Sequence, residues 1–370
     1  MPTAISHLKE KLIEMVKKMH NNNFSSLRIA AAFMVMGGHM GILTLNAPPV
    51  FLGKAVHSLG VYIFFLIGGY LITQSWLSDP HPLRYAVKRF FRIWPPLIVF
   101  LLVTTFLVGP FLSRLALPEY FSHPYTWKYL KNGLLNIQYS LPGVFENNPY
   151  PYAINGSLWT LPVEGVMYVL VPVLLRIFNI KKGERKSVLW VGVAVITLFV
   201  CFTDLVLQAY YPAARWVFYS TDWIQALHIV PYYFIGMVYA APCMKKILNL
   251  PFACILLFIF SCFKFSDLHT TFILYLLFPY FVFSVAFAPA NVVSKFFDKH
   301  EISYGLYLYG FFVQQIAIML ASQFSFNLSP TQYTIVCIII TAIIASGVRR
   351  FVEIPFAQLT KTILNRIPTS

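Results

Sequence analysis

The chain has 370 residues, of which 58% are hydrophobic and only 11% charged, with a net charge of +15. Soluble globular proteins carry about 25% charged residues. Too few charges remain here to cover a water-facing surface, so a soluble fold is excluded. In a soluble protein the basic excess would suggest nucleic acid. Here it lies mostly in short segments between apolar runs, the pattern of cytoplasmic loops, so no nucleic-acid partner is expected. The five cysteines (Cys201, Cys243, Cys254, Cys262 and Cys337) sit in or beside apolar runs without metal-ligand spacing. They read as small core residues, with no disulfide framework and no metal site.

Along the chain, residues 1–23 carry Leu8, Leu12, Met15, Val16 and Met19 at helical spacing among Lys9, Lys11, Lys17 and Lys18. A signal peptide would need an unbroken apolar stretch. The pattern predicts a basic amphipathic helix on the inner membrane surface, or otherwise a solvated tail. Ten apolar segments follow, near 27–46, 58–77, 94–113, 157–176, 188–208, 223–241, 251–265, 271–288, 302–320 and 333–348. Most approach the ~20 residues that span a bilayer; the shortest is 251–265. The expected fold is therefore an all-α integral membrane protein of about ten transmembrane helices. Residues 24–356 form a single polytopic domain and residues 357–370 a cytoplasmic tail. With the N-terminus inside, only Lys54, Arg114, Lys128, Lys131, Arg215 and Lys264 of the 28 Lys and Arg fall outside. That asymmetry supports cytoplasmic N- and C-termini.

The longest connection, 114–156, is rich in Asn, Pro and Tyr, including Asn147-Asn148-Pro149-Tyr150-Pro151-Tyr152. Such residues on an outer surface can stack on and hydrogen-bond a sugar, or simply form an interfacial aromatic belt.

Ionisable groups inside apolar segments are costly, which makes them functional candidates. Arg28 and His39 are eleven residues apart on the first span. At ~100° and ~1.5 Å per residue they share one face, ~16 Å apart. Arg28 then lies near the cytoplasmic surface and His39 deeper. Gly37-Gly38 thins the helix beside His39, so that a ligand or a neighbouring helix can come close. A lone membrane histidine is either hydrogen-bonded structure or a catalytic group. Lys88, Arg89 and Arg92 share a helix face just before Trp94-Pro95. At an inner surface they suit lipid phosphates, or those of a soluble cofactor. Glu164, near the start of the fourth span, needs a partner at membrane depth, and a histidine such as His39 is the obvious one. Asp204 and Asp222 lie at outer ends of spans and read as interfacial.

Taken in order, these segments resemble the acyltransferase-3 family, membrane proteins that O-acylate cell-surface sugars. Ser26-Leu27-Arg28-Ile29-Ala30 through His39 is similar to its opening helix, and Phe64-Phe65-Leu66-Ile67-Gly68-Gly69-Tyr70-Leu71-Ile72-Thr73 to its second. Lys88-Arg89 through Arg92-Ile93-Trp94-Pro95 resembles its basic motif. Ser157-Leu158-Trp159-Thr160-Leu161-Pro162-Val163-Glu164 through Tyr168 resembles its tryptophan–glutamate motif. Phe234-Ile235-Gly236-Met237 is a weaker match. Ile302-Ser303-Tyr304-Gly305-Leu306-Tyr307-Leu308-Tyr309 and Val352-Glu353-Ile354-Pro355-Phe356 are similar to the last two motifs. The chain departs from the family at Ser25-Ser26, Gly68 and Thr160. Its late motif ends at Gly310, followed by Gln314 and Gln315, where the family often has a histidine.

The resemblance implies a membrane O-acyltransferase, most simply an O-acetyltransferase, in the bacterial inner membrane. It would move an acyl group from cytoplasmic acyl-CoA to a hydroxyl of a cell-surface polysaccharide such as O-antigen, capsule or exopolysaccharide, or of its lipid-linked precursor. Acetyl-CoA would be a substrate, with no permanently bound cofactor. His39 and Glu164 would be catalytic, with Glu164 orienting His39. Arg28, Lys88, Arg89 and Arg92 would hold the donor. Trp159, Tyr168, Tyr304 and Tyr307 would line the substrate cavity, or else serve as core packing. The competing class is a transporter or flippase of a glycan lipid or small solute, which buried Arg, His and Glu also suit.

Overall fold

The structure, a computed structural model, describes residues 22–181, 187–290, 292–326 and 328–368. The expected amphipathic helix at 1–23 lies outside these up to residue 21. The main helices are α1 Phe24–Leu43, α2 Val56–Ser78, α3 Pro82–Leu112, α4 Gly156–Ile177 and α5 Ser187–Tyr210. They continue as α6 Val230–Tyr239, α7 Leu250–Ser261, α8 Asp267–Phe287, α9 Ser303–Gln323 and α10 Pro330–Arg366. Strand structure among the described residues is confined to two two-stranded antiparallel hairpins, at 50–55 and 217–222. The chain is an all-α integral membrane protein.

Eight of these helices are long and apolar enough to cross a membrane. The exceptions are α6, of 10 residues, and α7, of 12. The expected span at 223–241 is broken near Pro231, which has no N–H to give and sits in the first turn of α6. Before it, Trp223–Leu227 forms a short helix of its own, capped by the Asp222 carboxylate. The other expected segment, 251–265, ends as a helix at Ser261.

Packing centres on α2, which lies between α1 and α6. Membrane helices associate through small residues that let backbones approach. A Cβ at Gly69 would fall 2.0 Å from the Tyr233 carbonyl oxygen, and one at Gly236 would fall 2.2 Å from that of Leu66. Any larger residue at either position would push α2 and α6 apart. Pro95 and Pro96 lie inside α3, where each removes one backbone donor, and a wide π turn follows at Val103–Val108. A second π turn, Arg349–Glu353, lies in α10 just before Pro355. The segment expected as a tail is helical to Arg366 and docks on α3, where the Arg84 guanidinium donates to the carbonyls of Leu364 (2.6 Å) and Ile367 (2.9 Å).

The connection 114–156 is ordered and turned inward. Asn148 Nδ2 donates to the Gln315 side chain at 2.7 Å, Asn155 Nδ2 to the Leu308 carbonyl at 2.7 Å, and Gln315 Nε2 to the Ala153 carbonyl at 2.8 Å. These amides tie the loop to α9 and are not free for a sugar, whereas Tyr150 and Tyr152 are exposed.

Asp204 corrects the interfacial reading, because its side chain is fully buried. It accepts from Gln208 Nε2 at 2.6 Å and from the Tyr275 hydroxyl, and lies 2.5 Å from His228 Nδ1. The network links α5, α8 and the segment just before α6. Tyr275→Phe removes one donor from a buried carboxylate, which costs about 1–3 kcal/mol. Thermal unfolding in detergent is expected to shift down by several degrees in that variant, and an unchanged melting temperature would contradict the network's role.

Candidate functional site

A cavity of about 360 Å³ opens between α1, α2, α3, α4, α6 and α9. That is within the roughly 300–1,000 Å³ of ligand pockets. Its walls include Arg28 from α1, Phe64, Gly68 and Leu71 from α2, and Lys88, Arg89 and Arg92 from α3. Thr160, Glu164 and Tyr168 come from α4, Tyr233 from α6, and Tyr304 and Tyr307 from α9. The structure thus brings together all four predicted basic residues, Glu164 and three of the four predicted aromatic residues. Their positions follow from helix periodicity, since Lys88 and Arg92, and likewise Glu164 and Tyr168, are four apart.

The cations differ in how they are held. Glu301 Oε2 lies 3.5 Å from Arg28 Nη1 and 3.3 Å from Arg92 Nη2, bridging α1 to α3. Arg92 also meets Glu353, from the π turn of α10, at 3.6 Å. Lys88 Nζ is 2.6 Å from Asp79, which Arg84 also approaches at 2.8 Å. Arg89 differs, because no carboxylate partners it among the described residues. Its guanidinium lies 5.7 Å from the ring centres of both Tyr85 and Tyr168 and donates to Ser75 Oγ at 3.3 Å. The Arg92 guanidinium is 5.7 Å from the Tyr304 ring.

Burial alone would raise the Glu301 carboxyl. The charges of Arg28 and Arg92, with hydrogen bonds from Ser303, outweigh it and hold the group at about 2. Asp79 behaves likewise: burial pushes it up, but Lys88 and Arg84 bring it below the ordinary carboxylate range.

The aromatic residues are anchored as well as exposed to the cavity. The Tyr304 hydroxyl donates to the Ile93 carbonyl at 3.0 Å, and the Tyr307 hydroxyl to that of Ser157 at 3.0 Å. Tyr307 is also 2.7 Å from Thr160 Oγ1. The Tyr168 hydroxyl donates to Glu164 Oε1. Trp159 sits in the short turn Gly156–Trp159 and packs against the core, outside the cavity wall.

One expectation about His39 needs correction, because Glu164 is bonded to Tyr168 and not to it. His39 also lies outside the cavity wall. His39 sits beyond the far end, against Phe311 at 5.3 Å and His57 at 5.7 Å between ring centres. Phe64 and Tyr307, both in the cavity wall, meet edge to face at 5.5 Å between ring centres. Geometry explains the separation: Phe64 follows His57 by seven residues on one face of α2, about 10 Å along the axis.

Glu301, Glu353 and His57 were not assigned roles from sequence. Glu353 was visible within the closing motif, and Glu301 as an acid beside the late one. The available signal was scarcity, since 13 acids serve 28 Lys and Arg, so any acid near a membrane-buried arginine is a counter-ion candidate. His57 lay one residue before the expected second span.

The fold and site define a multi-pass membrane protein with a cation-rimmed cavity between its helices. Residues 21–349 match the acyltransferase-3 family model, described as an acyltransferase domain. The chain belongs to that family and is a membrane acyltransferase. It is 28% identical over 306 residues to an O-acetyl transferase of Shigella phage Sf6, covering 81% of this chain and 87% of that protein. It is 33% identical over 192 residues to nodulation protein 10 of Rhizobium leguminosarum bv. viciae, covering 48% of this chain and 50% of that protein. No solved structure matches.

Glu301 gives a pH signature. Its depressed pKa means that its stabilising contribution is fully present above about 4.5 and is lost as pH falls toward about 2. The melting temperature of Glu301→Gln is expected to be lower than that of the parent at neutral pH. The gap should narrow only below pH 4.5, and a constant gap down to pH 3 would contradict the bridge.

Proposed function

We propose that this chain is an O-acetyltransferase that takes acetyl from cytoplasmic acetyl-CoA and delivers it to a glycan hydroxyl on or bound for the cell surface. The observation that carries the reading is the convergence of Arg28, Lys88, Arg89 and Arg92 on one intramembrane cavity. The name of the phage relative supports acetyl as the transferred group. The excess of basic residues on the same side as Arg28 supports a cytoplasmic donor end, in a bacterial inner membrane with both termini inside.

In this reading the donor's phosphates meet the four cations through charge-assisted hydrogen bonds. Arg89, which has no carboxylate partner among the described residues, is the guanidinium most available to them. The thioester arm points toward His39, ~16 Å along α1 from Arg28, and reaches it only when the Phe64 and Tyr307 rings, which meet at 5.5 Å, part. Glu164 supplies a carboxylate in the cavity wall itself and fixes the Tyr168 hydroxyl, which replaces the role expected of it as the partner of His39. His39 acts as general base on the acceptor hydroxyl. The hydroxyl oxygen attacks the thioester carbonyl and its proton passes to His39. The C–S bond breaks, the leaving thiolate takes the proton, and an ester and a free thiol result.

Membranes containing the protein are incubated with acetyl-CoA labelled in the acetyl group and with the native glycan. Label is expected to move to glycan at full rate in the parent and to fall at least about 100-fold in His39→Ala, with insertion unchanged. A transporter would leave the label on CoA. Near-parental transfer by His39→Ala would remove it from the chemistry. Glu164→Gln is expected to lower turnover in the same assay.

A further inference from the structure

The two histidines at the far end form the second polar arrangement that points to chemistry. His39 lies near the end of α1 and His57 at the start of α2, with ring centres 5.7 Å apart and planes inclined by 35°. The Nδ1 atoms of both rings are buried and have no hydrogen-bond partner. A buried polar atom left unpaired costs about 1–3 kcal/mol, and native structures keep few of them. The contact is also built into the backbone. A Cβ at Gly38 would lie 2.6 Å from both Cβ and Nδ1 of His57, so glycine there is what admits the second ring. Gly37, by contrast, faces open space. Of the two glycines, Gly38 is the one that lets a neighbouring helix come close. Phe311 also meets the His39 ring edge to face, at 5.3 Å between ring centres.

We infer that His57 is the positioning partner of His39, in the place where a carboxylate was expected. The inference rests on the acyl-transfer reading. When His39 has taken the hydroxyl proton it is an imidazolium with a second N–H to donate. Neutral His57 is the polar side chain beside it that can accept. That bond holds the ring orientation of His39 until the thiolate recovers the proton, and so sets which nitrogen is left bare afterwards. Catalytic hydrogen bonds are often long before substrate arrives and tighten in the complex.

The test is labelled-acetyl transfer by the full chain in membranes, comparing the parent with His39→Ala, His57→Ala, His57→Gln and Gly38→Ala. His57→Ala is expected to lose roughly 10²-fold in kcat while KM for acetyl-CoA stays unchanged. Added imidazole restores part of that loss, and the acceptor amide of His57→Gln recovers part of it. Gly38→Ala keeps both rings but displaces one, so its kcat falls too. Full kcat in His57→Ala overturns the inference. A loss that tracks a lowered melting temperature, with no recovery by imidazole or by His57→Gln, overturns it as well and leaves a packing role. If the parent transfers no label, the acyl-transfer reading itself fails. If the parent transfers label, His39→Ala does not, and His57→Ala does at full rate, only the role of His57 falls.

Discussion

Holding several cations inside a low-dielectric bundle is the constraint on which the rest of the structure depends. A lone buried charge is strongly disfavoured, and a paired one needs good geometry and further hydrogen bonds. Glu301 meets this need for two arginines at once, bridging Arg28 on α1 and Arg92 on α3. Glu353 adds a second contact to Arg92 from a π turn, a local widening of the kind that recurs at functional sites. Arg349 in the same turn donates to the carbonyls of Glu301 and Lys299 at 2.6 and 2.9 Å, so the segment that carries the bridging carboxylate is itself held. Three helices and one connecting segment are therefore fixed by charge around a cavity whose other walls are mostly aromatic and aliphatic, with Lys88, Arg89, Thr160 and Glu164 among them.

The glycine contacts set the other dimension of the site. Gly69 and Gly236 draw α2 against α6, and Gly38 admits His57 beside α1. The face of α2 that begins with His57 continues two turns later with Phe64, which closes the cavity toward Tyr307. One helix thus joins a cationic end to a histidine end, an arrangement that suits a reaction whose donor and acceptor arrive from opposite sides of a membrane.

Much of this was legible in the sequence because hydropathy and spacing are local. Arg28, Lys88, Arg89, Arg92, Glu164 and Tyr168 fall where helical periodicity and membrane cost put them, and all line one cavity. What sequence could not supply was contact between elements distant in the chain. Glu301 lies far from Arg28 in sequence, and nothing local says that one carboxylate serves two helices. Pairing Glu164 with His39 was the natural choice of opposite types, but the register of α4 gives that carboxylate to Tyr168, one turn along its own helix. Asp204 looked interfacial because its position in the span is near an end. Its burial depends on α8 and on the loop before α6 folding over it. Pro231 was visible, yet the span drawn across it ignored the missing N–H that starts α6 there.

The central claim is that the cation ring binds the phosphates of the acyl donor, and Arg89 offers the cleanest test. Among the described residues its removal leaves no carboxylate unpaired, so a fall in affinity would not reflect a broken ion pair. Equilibrium binding of acetyl-CoA to the purified protein and to Arg89→Gln measures it directly. The account predicts roughly 10- to 100-fold weaker binding in the variant, the loss of one charge-assisted bond, with no change for an acetyl-pantetheine thioester that lacks the nucleotide. Equal affinity of both proteins for acetyl-CoA would contradict it.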